Sequence, residues 1–350
     1  MSNAPHVDDK SQSADLRPWI IGLPKSELHV HLEGTMSPAL YAQIARRNGL
    51  DFSGEADAAF LCHDFDSFLN SFLRVVRSLQ KPKDFADVVK AYLETATAQG
   101  VVHAEIMWSP ATQRKFFPDL DLIATGRAIH AAMADARGKT GLSSLLILDM
   151  VRNLGELEAM LDIDLALQLR DYGVVGVGLG GDESRFPARD FQRVFERAKQ
   201  VGLRRTVHAG EAAGAESILD AVELLHAQRI GHGVAARGCK EIVRLLRDNN
   251  VTIDACPTSN AITQALPKNE KHPLPDWLAA GLSVSLSSDD PSFFATTLAD
   301  EYERAAEMAL GRSELATIAK NGFAASFAGG EEKRRWLEAV DDYVARSTAP

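Results

Sequence analysis

The segment VSLSSDDPS, residues 284–292, ends an apolar-alternating run with two adjacent carboxylates, Asp289 and Asp290. Side by side, like charges repel unless a cation holds them. The pair also has an ordinary explanation as a turn before Pro291, because Asp is favoured in turns and at helix N-caps. Three other segments bear on the choice. LHVHLEG sets His29 and His31 two residues apart, so in a strand both face one side. TVHAGE ends a β-like run at His208 with Glu211 three residues on, and RIGHGV carries His232. Taken singly, each histidine reads as a packed core residue and Glu211 as a first-turn charge favoured by a helix dipole.

At the C-terminal ends of their strands, these residues together would suit zinc or another borderline divalent ion. His29, His31, His208 and Asp289 supply three imidazoles and a carboxylate, a shell suited to one Zn2+ per chain with a position left for water. The ion's charge would keep Asp289 ionised beside Asp290, which then faces the bound ligand. Glu211, not itself a ligand, can shuttle a proton between the water and a substrate. His232 can orient or deprotonate the same water.

Such convergence needs a fold that brings distant strand ends to one rim. Eight short apolar or β-branched runs supply it: ELHVHLEG, VVHAEIMW, SLLILDMV, VVGVGLGG, LRRTVHAG, QRIGHGV, VTIDACP and LSVSLSSD. Between most of them lie stretches such as AESILDAVELLHAQ, with apolar residues at helical spacing. Eight βα units predict an α/β chain folded as a (β/α)8 TIM barrel, whose active sites sit at the C-terminal ends of its strands. The long interval after the first run predicts extra helices there, and two more close the chain. Phe65, Phe68 and Phe72 share one helical stripe, read as simple packing or, more sharply, as a lid over a flat apolar substrate. No linker marks a second domain, so residues 17–350 are expected to form one barrel domain after a mobile tail at 1–16.

The 350 residues are 45% hydrophobic and 25% charged, as in globular proteins with a large core. A formal charge of −10 argues against nucleic acid or an anionic membrane as partner and leaves small molecules easier to accommodate. Three cysteines without CxxC spacing suggest neither disulfides nor a thiolate zinc site, which fits a reducing cytoplasm. The polar, acidic N-terminus is the reverse of a signal peptide, and no apolar run is long enough to span a membrane. GVGLGG, residues 176–181, matches a dinucleotide fingerprint, but Asp182 and Glu183 follow where a pyrophosphate needs positive potential. Its glycines are read instead as permitting close approach to the barrel core or to a flat ligand.

HVHLEGT, GLGGDE, VHAGE, RIGHG, CPTSN and SSDDP, in this order, resemble the adenosine deaminase family from about Leu23 to the eighth unit. The resemblance implies a mononuclear zinc barrel that replaces a purine 6-amino group with oxygen. It implies that His29, His31, His208 and Asp289 bind zinc, that Glu211 protonates the ring nitrogen, and that His232 and Asp290 position and deprotonate the water. It also implies that His31, Glu33, Gly181 and Asp290 face the substrate, Gly181 through its backbone N–H. The substrate expected is adenosine or deoxyadenosine, since GLGGDE, RIGHG and CPTSN resemble the adenosine type. HLEGT and HAEIMW resemble the adenine branch, which keeps adenine, aminodeoxyfutalosine and N6-substituted purines as alternatives. An amide or ester hydrolase on the same barrel is more remote. Oligomeric state is not legible.

Overall fold

The computed structural model describes residues 16–50 and 56–348, so the tail expected at 1–16 lies, Leu16 apart, outside the described residues. Eight parallel strands pair in chain order: β1 (Lys25–His31), β2 (Val101–Trp108), β3 (Ser143–Val151), β4 (Val174–Gly180), β5 (Arg204–Ala209), β6 (Arg229–His232), β7 (Thr252–Ala255) and β8 (Val284–Leu286). Covered on both faces, such strands read as near-continuous apolar runs. All eight expected runs are strands of the α/β barrel.

The seam between β8 and β1 closes through a single bridge rather than a ladder. Asp289 N–H donates to the His29 carbonyl at 3.1 Å, and His31 N–H donates to the Asp289 carbonyl at 2.9 Å. Asp289 adopts φ 64°, a left-handed conformation that costs a non-glycine residue energy and is found where function demands it. The closing bridge therefore places three of the candidate site residues against one another.

Amphipathic helices cover the barrel. Lys240–Asp248, for example, buries Ile242 and Leu246 and leaves its charges outward. After β1 come helices Pro38–Arg47, Phe65–Val76 and Pro82–Ala98, the insertion expected there. Asp64 starts the second of these with a capping box: its carboxylate accepts the Ser67 N–H at 2.8 Å, while Ser67 Oγ accepts the Asp64 N–H at 3.1 Å. At the N-terminal end of the strands, fully buried Arg229 pairs with Glu105 at 2.6 Å and Asp254 at 2.9 Å, and lies 3.9 Å from the Phe327 ring centroid. Losing Arg229 would strand two buried carboxylates, which costs several kcal/mol. No described helix is long and apolar enough to cross a membrane.

Candidate active site

Strand alternation turns His29 and His31 inward from β1, β5 delivers His208, and the seam delivers Asp289. One ligand atom from each lies within 4.8 Å of all the others. His31 Nε2 is 3.2 Å from His208 Nε2 and 3.3 Å from Asp289 Oδ1, while His29 Nε2 is 3.5 Å from the same oxygen. Both ring nitrogens of His29 are buried without a hydrogen-bond partner. Burying such groups unpaired is costly, so the arrangement fits a cation at their centre. His208 Nδ1–H donates to the Leu179 carbonyl at 3.1 Å, which points Nε2 into the cluster.

Charge tells the same story. Burial pushes His29 down to about 4 and holds His208 well below its ordinary value, so both are neutral, as metal ligands must be. Burial alone would also lower His31, yet Asp290, Asp289 and Asp149 push it well above. The carboxylates thus call for positive charge at this spot. Asp290, raised by burial first and then by Asp289, Glu33 and Glu211, keeps an unpartnered Oδ1.

His31, His208, Asp149, Asp289 and Asp290 line a cavity of about 110 Å³, and His29 lies behind them. Glu211, His232, Asp290 and Gly181 all face it. Glu211 Oε2 is 3.6 Å from His232 Nε2, and burial is the leading cause that pushes the Glu211 carboxyl up. Glu33 does not line the cavity: it is fully buried, and its Oε1 accepts the Ser109 N–H at 3.2 Å. Phe65, Phe68, Leu69, Phe72 and Leu73 form an apolar wall. Phe68 and Phe72 also pack on Phe293, at centroid distances of 5.6 and 5.8 Å, so the helix both packs and roofs the cavity.

The tautomer of His232 follows from a buried chain. Leu274 N–H donates to His272 Nδ1 at 3.2 Å, so the neutral ring, lowered to about 4 by burial, carries its proton on Nε2 and gives it to Asn260 Oδ1 at 3.3 Å. Asn260 Nδ2 then donates to His232 Nδ1 at 3.0 Å. In the neutral ring this leaves the His232 proton on Nε2, toward the cavity.

Residues 24–343 match the family model described as adenosine deaminase. The chain belongs to the adenosine deaminase family. Adenine deaminases of Geotalea uraniireducens and Ralstonia nicotianae are 36% and 37% identical over 335 and 327 residues, covering 94% and 91% of this chain and 94% of each relative. The crystal structure of an adenine deaminase from Arthrobacter aurescens, 35% identical, matches with a TM-score of 0.87 over 92% of this chain and 99% of its own. The N6-methyl-AMP deaminase of Arabidopsis thaliana, 23% identical with a TM-score of 0.83, shares the fold over 94% of this chain and 99% of its own. The protein is a hydrolytic deaminase of aminopurines, which displaces the amide or ester hydrolase alternative.

Adenosine as substrate is not supported, and the geometry explains why the segments that suggested it were uninformative. A Cβ on Gly231 of RIGHG would overlap His29 and come within 2.9 Å of its Nδ1. Asn260 of CPTSN holds His232, and Glu183 of GLGGDE accepts N–H groups from the loop that carries Glu211.

Sequence reasoning missed four contributors to this deaminase site. Asp149 on β3 lines the cavity, with Oδ2 3.6 Å from His31 Nδ1. A Cβ on Gly178 or Gly180 would lie 2.5 or 2.9 Å from its carboxylate, so the glycines of GVGLGG make room in the core. Ser259 Oγ donates to Asp289 Oδ2 at 2.7 Å, and Asn260 with His272 sets the His232 ring. One signal was present for Asp149: a lone carboxylate in an otherwise apolar strand must be buried and needs a reason.

Proposed function

We propose that the protein converts free adenine to hypoxanthine and ammonia, with one zinc ion held by His29, His31, His208 and Asp289. Adenine deaminases matched over nine-tenths of both lengths support the reading. The observation that carries it is Asp149. This buried carboxylate belongs to the cavity lining, and a free base has a ring N–H to give it where an N9-ribosylated purine has none.

Bound there, a divalent ion would lower the pKa of water from ~16 toward ~7 and so supply hydroxide near neutral pH. The protein's own groups do the rest. Glu211, its carboxyl raised by burial, donates a proton to the ring nitrogen beside the reacting carbon. His232 presents Nε2–H and orients the attacking water, while Asp290 takes the proton and returns it to the departing amine. The Gly181 N–H holds the pyrimidine edge.

The apolar wall of Phe65, Phe68 and Phe72 favours a second reading, a purine with a small apolar N6 substituent that leaves as an amine. Amine release from adenine, adenosine, deoxyadenosine, aminodeoxyfutalosine and N6-methyladenine separates these. The proposal expects adenine to exceed adenosine by ~10²-fold in kcat/KM, the upper end of the ~1–3 kcal/mol cost of leaving a buried polar group unpaired. Faster turnover of adenosine refutes it.

A further inference from the structure

Glu183 follows β4 and is not part of the cavity wall, yet it is only 2% exposed and accepts five hydrogen bonds. Its Oε1 accepts the Gly210 N–H at 2.6 Å and the Ser217 hydroxyl. Its Oε2 accepts the N–H groups of Glu211 at 3.0 Å, Ala212 at 2.8 Å and Ala213 at 3.1 Å. Four consecutive backbone donors wrap one carboxylate, as they would an anion in a backbone nest. The segment is neither helix nor strand, so no ladder would otherwise pair these amides.

We infer that Glu183 is a positioning residue for the proton-transfer step: its carboxylate fixes the Gly210–Ala213 backbone so that Glu211 meets the substrate ring. Through Ser217 the same carboxylate ties that backbone to the first turn of the helix Ala215–Glu223. Glutamate length is required, because one carboxylate must span both sides of the loop. Glutamine keeps the length but turns an NH2 group toward N–H donors, so at least one bond is replaced by repulsion. The Glu183 charge, which glutamine lacks, is also among the causes, after burial, that push the Glu211 carboxyl up. The inference rests on the reading of Glu211 as proton donor.

The test is a double-mutant cycle on the metal-loaded enzyme with adenine. Glu211→Gln alone tests the underlying reading, and wild-type turnover in that variant sinks it. Glu183→Gln should lower kcat by about 10²-fold, the cost of an ångström-scale misplacement, with KM changed far less and metal content retained. In the Glu211→Gln background the same change should cost under ~3-fold, because the group being positioned is already gone. An equal loss in both backgrounds, or no loss in the first, overturns the inference while leaving Glu211 in place. Should Glu183→Gln not fold, hydrogen exchange of the intact enzyme decides: Gly210–Ala213 amides must be protected like those of β5, and free exchange overturns the proposal.

Discussion

Gly231→Ala is a one-methyl perturbation whose effect can be worked from the coordinates. The added Cβ would overlap His29 Cε1 and stand 2.9 Å from Nδ1, both parts of a ring that is fully buried. Restoring ordinary contact of ~3.5 Å or more requires ring or strand to move by about 1 Å. Neither has free space, so overpacking should cost ~1–3 kcal/mol of stability. The larger effect falls on the metal. Disturbing a ligand's orientation typically costs 10–100-fold in metal affinity, and a displaced ligand should reach the upper end, about 10²-fold. Dialysis against a zinc-buffering chelator, followed by metal analysis and an adenine assay with and without added zinc, reads this directly. Gly138→Ala is the control: a Cβ there meets nothing within 4 Å, and alanine in an exposed helix is favoured by up to ~1 kcal/mol. If Gly231→Ala holds zinc and turns over like the wild type, the reasoning about His29 fails.

Ser259→Ala removes the hydrogen bond to Asp289 Oδ2 and should weaken metal binding by ~10–100-fold without changing the substrate preference; undiminished affinity in chelator competition contradicts this. Cys62 is pushed up to about 11, chiefly by burial, so it stays a thiol until alkaline pH. At pH 8 only ~10⁻³ of it is thiolate, and its alkylation rate should rise about tenfold per pH unit toward 11, whereas a plateau near pH 8.5 would refute the shift. Asn260→Ala frees His232 Nδ1 from its donor and should lower kcat more than KM, since the ring can then flip its tautomer; an unchanged kcat argues against the His272–Asn260–His232 chain.

The barrel was legible because parallel strands buried on both faces leave continuous apolar runs, and all eight stand out. The three candidate imidazole ligands were legible because histidines at strand ends are few and barrels build sites on that rim, and Asp289 because it stands beside a second carboxylate there. What stayed hidden is side-chain direction in irregular backbone. Glu33 lies in a single 3-10 turn, where alternation gives no guide, and it turns to the Ser109 N–H rather than into the cavity. Glu183 signalled only charge, because the four N–H groups it gathers come from a loop far along the chain. Ser259 and Asn260 stand within CPTSN, but their partners, Asp289 and His232, are on other units. The Phe65–Phe72 stripe left packing and lid as rivals; the helix packs on Phe293 and also lines the cavity, because it sits where the core meets the mouth.

Metal stoichiometry in the purified chain and in its ligand variants tests the centre of the account most directly. One divalent ion per wild-type chain, lost together with ammonia release in His29→Ala and in Asp289→Ala, is the result the geometry requires. Two ions per chain, or a full complement retained in either variant, would contradict it.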